Sequence, residues 1–585
     1  MFKIFRNFHW KDSLFLLCGI LFVATQVVLE LKMPDYMSEI TRLVQTEGSE
    51  MGNILLNGGW MVLCALGSFI ACVGGGFCFA TASARLSMNT RKKLFDKVES
   101  LSMHEIKKFS TSSLITRSTN DITQIQMFVA MGAQMLVRAP LTAFWAIVKI
   151  SGKSWQWSTA TGIAVVFLLS VMFIVMAIVI PRFKKVQKLT DRVNGVTREN
   201  LTGIRVVRAF NAEKYQEKKF NKINTDLTKT QLFNERMLSI LSPTMYFVMN
   251  GLTVVIYVIG AYLISNAVGL DKQLIFSDMV VFSFYAMHVI MSFLFVAVIL
   301  MILPRAQVSA NRINEVLNTK ESIKDGNFDD ETAERGTVEF RNVSFKYPDA
   351  EEYLLRNISF RAEAGETVAF IGSTGSGKST LINLIPRFYD ATDGEVFVDG
   401  VNVRDYKQKA LNNRIGYVPQ KAVMFNGTVS SNVTYGDNGR GKKSEKTVKQ
   451  AIKIAQAKDF VEKMEKGYNA HIAQGGTNIS GGQKQRLAIA RAVARDPEIY
   501  IFDDSFSALD YKTDAALRRD LKKYTGKATN LIVAQRIGTI MHADKIIVLD
   551  EGKCVGIGTH KELLKNCEVY QQIALSQLSK EELNV

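Results

Sequence analysis

Cysteine is scarce in this chain and poorly placed for chemistry: six residues in 585, Cys18, Cys64, Cys72, Cys78, Cys554 and Cys567, with no C-x-x-C pair. That spacing indicates neither a zinc site nor a disulfide framework. Acids are the minority sign, 55 Asp and Glu against 72 Lys and Arg, leaving a net charge of +17. Such an excess suits nucleic acid or an anionic membrane surface. Here it gathers beside long stretches almost free of charge, so the membrane is the expected partner and nucleic acid is not. The first apolar run starts near Leu14, lacks an A-x-A site and is followed by further runs. A cleavable secretory signal is therefore not expected.

The nearly uncharged stretches lie at 13–33, 54–82, 127–150, 159–181, 244–265 and 279–303. Each is long enough to cross a bilayer, and six in one half of a chain argue against buried soluble helices. Between the second and third, Arg85, Arg91, Lys92, Lys93, Lys97, Lys107, Lys108 and Arg117 outnumber Asp96, Glu99 and Glu105. The segment 182–236 is similarly basic, whereas 30–53 carries Glu30, Asp35, Glu39, Glu47 and Glu50 against Lys32 and Arg42. By the positive-inside rule, both long loops and both termini are expected on the cytoplasmic side of a cytoplasmic membrane. The two loops are too long for bare connectors, are almost free of proline and favour helix. They are expected to form hairpins reaching roughly 30–45 Å from the membrane, with tips at 109–117 and 209–215. The plainer reading is a solvated helical face with no coupling role.

The pattern divides into a membrane domain at 1–310, a charged Gly/Asp-rich linker at 311–336, and 337–585, where short β-rich runs alternate with helices. That alternation points to a largely parallel α/β core. Within it, Gly372, Ser373, Thr374, Gly375, Ser376, Gly377, Lys378 and Ser379 spell G-x-x-x-x-G-K-[ST], after the apolar run 367–371 and before a helix opening at Thr380. Glycines let backbone N–H groups turn toward phosphates, and the helix N-terminus adds favourable partial charge. In this motif the lysine reaches the β- and γ-phosphates and the serine ligates Mg²⁺. The run 499–503 reads as a buried strand ending in Asp503, a carboxylate that can help hold the metal.

Residues Ser480, Gly481, Gly482 and Gln483 open another helical segment and resemble the signature motif of ATP-binding cassette proteins. With the six spans, they make almost the whole chain resemble one half of an ABC exporter. The implied fold is an α-helical six-span transmembrane domain followed by a P-loop α/β nucleotide-binding domain. The resemblance implies ATP and Mg²⁺ as cofactors and a second half-transporter as partner, with each ATP held between one chain's phosphate loop and the other's signature. It also implies that Tyr347 stacks on adenine, that Gln420 senses Mg²⁺ and the attacking water, and that 507–510 is the loop crossing between paired domains. Export, rather than import, is likewise what the resemblance implies.

The chain departs from that family at two positions. Asp504 stands where a catalytic Glu is usual and Gln535 where a His is usual. Asp is one methylene shorter, which retracts the carboxylate by roughly 1.5 Å, and a general base must lie within about 2.6–3.2 Å of its proton. Gln can donate to a γ-phosphate but cannot be protonated. The loop around Gln474 also lacks the Glu often found there. Weak residues beside an intact signature resemble the degenerate-site subunit of heterodimeric bacterial multidrug exporters, which move small hydrophobic or amphiphilic compounds. A homodimeric lipid, drug or haem exporter, in which Asp504 still works as base, and a non-pumping ATP-gated membrane regulator are the alternatives.

Charges inside spans are functional suspects. Glu30 either greets cationic compounds or is a solvated mouth residue. Arg138 faces either a cavity or a neighbouring helix, and Lys149 is expected to snorkel. His288, among Met287, Met291, Phe284, Phe293 and Phe295, fits a haem or soft-metal ligand set, or adaptable packing. Pro34 and Pro140 are expected to kink their helices, and 74–76, all glycine, to allow close helix approach.

Overall fold

The computed structural model describes residues 10–578 except 47, 152–153, 437, 440 and 442. Both termini, and with them the expected cytoplasmic ends, lie outside the described residues. The chain divides into two compact units: residues 1–99 with 111–319, and residues 100–110 with 320–585.

Among the described residues of the first unit, six helical segments are long and apolar enough to cross a membrane: Trp10–Gln45, Met51–Ser100, Thr111–Ser151, Trp155–Thr202, Glu213–Asn266 and Asp271–Leu317. Every apolar stretch read from the sequence falls inside one of them. At 1.5 Å per residue, the 50-residue helix Met51–Ser100 is about 75 Å long, far beyond a hydrocarbon core of about 30 Å. The surplus carries the helix well past the apolar stretch 54–82 into the basic segment that follows. The last span runs through residue 310 to Leu317, so the boundary read from composition falls within a helix.

The first and second spans approach closely where glycine permits it. A Cβ on Gly74 would lie 3.0 Å from the Phe22 ring, one on Gly67 2.9 Å from Leu29, and one on Gly75 3.5 Å from Phe22, while Gly76 faces open space. The first span remains helical through Pro34 and the third through Pro140. A π-type turn at Phe128–Gly132 precedes Pro140.

The suspect charges are paired. Arg138 Nη2 donates to both carboxylate oxygens of Glu30, at 3.1 and 2.8 Å, and its guanidinium lies 5.2 Å from the centre of the Phe295 ring. Glu30 also accepts from Gln26 at 2.9 Å and Ser68 at 3.4 Å. It is therefore neither a free anion for a cationic compound nor a solvated mouth residue, because three neighbouring side chains already donate to it. Arg138 turns to a neighbouring helix. Lys149 donates to Asp35 at 2.6 Å, which also accepts from Tyr285 Oη at 2.6 Å, so it is an ion-pair member and not simply a snorkelling end. His288 Nδ1 meets the Phe284 carbonyl of its own helix at 2.8 Å. No group of three His, Cys, Asp or Glu among the described residues could hold a metal ion.

The second unit carries β1 (Val338–Phe345), β2 (Leu355–Ala362), β3 (Thr367–Gly372), β4 (Asp393–Val398), β5 (Val401–Asn402), β6 (Ile415–Val418), β7 (Gly427–Thr428), β8 (His471–Ile472), β9 (Ile499–Asp503), β10 (Thr529–Val533), β11 (Lys545–Asp550) and β12 (Lys553–Gly558). An antiparallel sheet has the order β2-β1-β4-β5, and the larger sheet the order β12-β11-β3-β10-β9-β6. β11, β3, β10, β9 and β6 run parallel, with β12 antiparallel at the edge. β9 is buried along its whole length, which is why its sequence reads as a continuous apolar run instead of alternating. β3, β9 and β10 deliver their C-terminal ends side by side, where ligands bind in open parallel sheets.

The first expected tip, 109–117, straddles the boundary between the two units. Residues 100–110 belong to the unit of 320–585, while 111–117 belong to the membrane unit. The short helix Met103–Lys108, opened by a Ser102–Glu105 capping box, is the docked segment. Ser100 donates to Glu321 at 2.7 Å, and the hydroxyls of Ser102 and Ser322 lie 3.1 Å apart. Phe109 is buried. The polar, capped stretch before Phe109 makes these contacts. The second tip turns at 210–212, with Phe210 and Tyr215 exposed.

Candidate nucleotide site

The phosphate loop leaves β3 and ends in the helix Lys378–Asn383. Gly375 and Gly377 have φ of +88° and +94°, a region that glycine enters without steric cost. A Cβ on Gly372 would lie 1.9 Å from the Leu549 carbonyl oxygen, so a side chain there would displace main chain. The Lys378 ammonium folds back onto the loop, donating to the carbonyls of Gly372 at 2.9 Å and Ser373 at 2.7 Å and to Ser376 Oγ at 3.3 Å. Burial pushes the Lys378 ammonium down, against the opposing pull of Asp504 and Asp503. A loop of small side chains around one buried cation fits a polyphosphate.

Ser379 Oγ donates to Asp503 Oδ1 at 2.7 Å. Burial pushes the Asp503 carboxyl up and the adjacent Asp504 adds to this, while Ser379 and Lys378 oppose it. Two hard oxygen donors in contact at the end of a phosphate loop suit a small divalent cation that also binds phosphate. Gln420 Nε2 donates to Asp504 Oδ2 at 3.3 Å, and Gln535 Nε2 donates to the same oxygen at 3.0 Å. Asp504 itself sits at φ +44°. Burial raises its carboxyl, and hydrogen bonds from Gln420 and Ser507 only partly offset this.

Tyr347 lies beside the same helix. Its hydroxyl is 3.0 Å from Thr380 Oγ1, and its ring packs edge-on with Phe345 at 5.0 Å and Tyr389 at 5.4 Å. The structure thus brings together Tyr347, the loop from Gly372 to Thr380, Gln420, Asp503, Asp504 and Gln535. Ser480, Gly481, Gly482 and Gln483 stand apart from this set. Ser480 caps the helix Gly481–Arg495 in a box with Gln483, exposed, and a Cβ on Gly482 would come within 3.2 Å of the Ala508 carbonyl. Sequence reasoning missed Tyr389 and Lys107. The Lys107 ammonium lies 5.0 Å from the Tyr347 ring centre and 5.5 Å from that of Tyr389. No local pattern marks either residue, since they meet Tyr347 only through tertiary folding.

A parallel sheet with a lysine-bearing phosphate loop, a helix-capping Ser-Gly-Gly-Gln and six membrane spans define an ATP-binding cassette fused to a membrane domain. Residues 15–293 match the family described as ABC transporter transmembrane region, and residues 355–507 match ABC transporter. The chain belongs to the ABC transporter family and has the ABC exporter fold. It is 38% identical over 523 residues to an uncharacterized ABC transporter ATP-binding protein of Mycobacterium tuberculosis, covering 89% of this chain and 87% of the relative. It is 34% identical over 576 residues to another from Bacillus subtilis, covering 97% of each. The ATP-dependent lipid A-core flippase of Pseudomonas aeruginosa is 32% identical over 515 residues, 87% of this chain and 82% of that protein. A bacterial Atm1-family ABC exporter solved with ATP bound superposes with a TM-score of 0.79 at 23% identity, over 95% of this chain and 97% of the other, and shares the fold. The protein is accordingly a multi-pass membrane protein whose cassette binds ATP and couples its hydrolysis to transport, a fold that functions as a dimer.

Proposed function

We propose that this chain is the degenerate-site half of a heterodimeric exporter of hydrophobic or amphiphilic compounds in the cytoplasmic membrane, with its cassette and termini in the cytoplasm. Residues 1–310 supply the transmembrane pathway, whose last helix runs on to Leu317, the remainder of 311–336 the connection and 337–585 the cassette. Tyr347 and the loop from Gly372 to Thr380 hold ATP, and Ser379, Gln420 and Asp503 hold Mg²⁺, which neutralises phosphate charge when bound. Ser480, Gly481, Gly482 and Gln483 complete the site of a second half-transporter. Ser480 and Gly481 are exposed and Gly482 and Gln483 partly so, which leaves them available to it.

The observation that supports weak hydrolysis best is the pair of neutral amides on Asp504 Oδ2. A general base must direct a lone pair at the attacking water. Here Gln420 and Gln535 both engage one oxygen of the shorter carboxylate, and Gln535 cannot take up a proton. The relative named for lipid A-core flipping adds lipid-like amphiphiles to the substrate class. An apolar cavity between spans, lined by Leu168, Met172, Leu241, Met245, Phe293 and Val298, is of matching character.

The test is ATP turnover by the chain purified alone and co-purified with the product of a neighbouring gene, in lipid. Little turnover alone and robust turnover in the pair are expected. Several turnovers per second by the chain alone would replace this reading with a homodimer.

A further inference from the structure

Lys107 comes from the chain between the second and third spans, yet its ammonium rests on the ring assigned to the base. The helix that carries it is short and firmly set. Ser102 and Glu105 cap it, Ser100 and Ser102 bind Glu321 and Ser322, and buried Phe109 closes it. At 5.0 and 5.5 Å from the two ring centres, Lys107 is within cation–π range of both tyrosines. A hydrogen bond with Tyr389, aided by the nearby phenols, holds its ammonium above the usual lysine range despite partial desolvation. Tyr347 is anchored at its hydroxyl end to Thr380, so its ring is a fixed platform one residue from the phosphate-loop serine.

We propose that Lys107 is a positioning residue of the nucleotide site, a cation that occupies the Tyr347 ring until adenine displaces it. This rests on the assignment of Tyr347 to the base. A flat base that stacks on the ring face the ammonium covers must displace it. Tyr389 already holds the ammonium by a hydrogen bond and a second ring contact, and both can persist when the Tyr347 face is taken. Base entry thereby moves a side chain of the segment that continues directly from the long helix Met51–Ser100. The site would discriminate for nucleotides whose base stacks well enough to outcompete the cation.

Lys107 is exposed, so its substitution leaves the fold intact. An exposed cation–π contact corresponds to a factor of about two to five in an equilibrium constant. The full-length protein in lipid nanodiscs would be titrated with ATP and with inorganic tripolyphosphate, which has no base. Lys107→Met is expected to tighten ATP binding by that factor without tightening tripolyphosphate binding, and Lys107→Arg to behave as wild type. Weaker or unchanged ATP binding in Lys107→Met overturns the proposal, as does an equal shift for both ligands. Tyr347→Ala separates the two premises: selective loss of ATP affinity sustains the base platform, whereas unchanged ATP affinity removes the platform itself.

Discussion

Substitution of Asp504 by Glu tests the weakest link in the catalytic set. The added methylene advances the carboxylate by roughly 1.5 Å, about half of the 3.0 Å now separating Oδ2 from the Gln535 amide. To reach a water in front of the γ-phosphate, Glu must leave at least one amide donor, each hydrogen bond contributing on the order of 1 kcal/mol. A positioned general base contributes about 10²–10⁴ in rate, or about 2.7–5.4 kcal/mol of barrier. The gain therefore exceeds the loss, and Asp504→Glu is expected to raise turnover at this site at least about tenfold. Because residues acting as one unit are not additive, Gln535→His should add little alone and more when combined with Asp504→Glu. The assay is single-turnover hydrolysis of labelled ATP by the purified protein in lipid, with ATP binding measured in parallel. Unchanged or slower hydrolysis in Asp504→Glu, with binding intact, would refute the argument that carboxylate reach limits the site.

Arg138→Gln should destabilise the membrane unit, because the half-buried Glu30 carboxylate loses its cationic partner; the loss is expected to fall below the roughly 3–5 kcal/mol of fully buried pairs. The double variant Glu30→Gln/Arg138→Gln should recover much of it in thermal melts in lipid, and equal melting of single and double variants would contradict the pairing. Asp399 predicts a pH dependence. Burial and the neighbouring Glu498 push its carboxyl up to about 6, against the pull of Arg414 at 3.0 Å and the Thr337 amide. The folded state then binds more protons than the unfolded state between about pH 4 and pH 6. Stability from this group is present below that window and falls as pH rises through it. Asp399→Asn should flatten the fall in melting temperature over that range, and an unaltered slope would count against it.

Much of the nucleotide site was legible because its chemistry is contiguous. One strand, one glycine loop and one helix carry the phosphate cradle, and local backbone rules fix their order. The six spans were legible for a similar reason, since a bilayer demands long uncharged helices whatever their neighbours. Asp503 could be placed because β9 is buried throughout and its carboxylate follows the last apolar residue.

Tertiary packing decided what each charged side chain meets. The sequence marks Glu30, Arg138, Asp35 and Lys149 as costly in a membrane, but only helix packing pairs Glu30 with Arg138 and Asp35 with Lys149. It likewise decided that 100–110 packs with the cassette unit, and that Lys107 finds Tyr347 some 240 residues further along the chain. Local geometry propagates along a backbone and can be read from order. Contacts between distant side chains depend on how whole elements pack, and no single stretch of sequence carries that information.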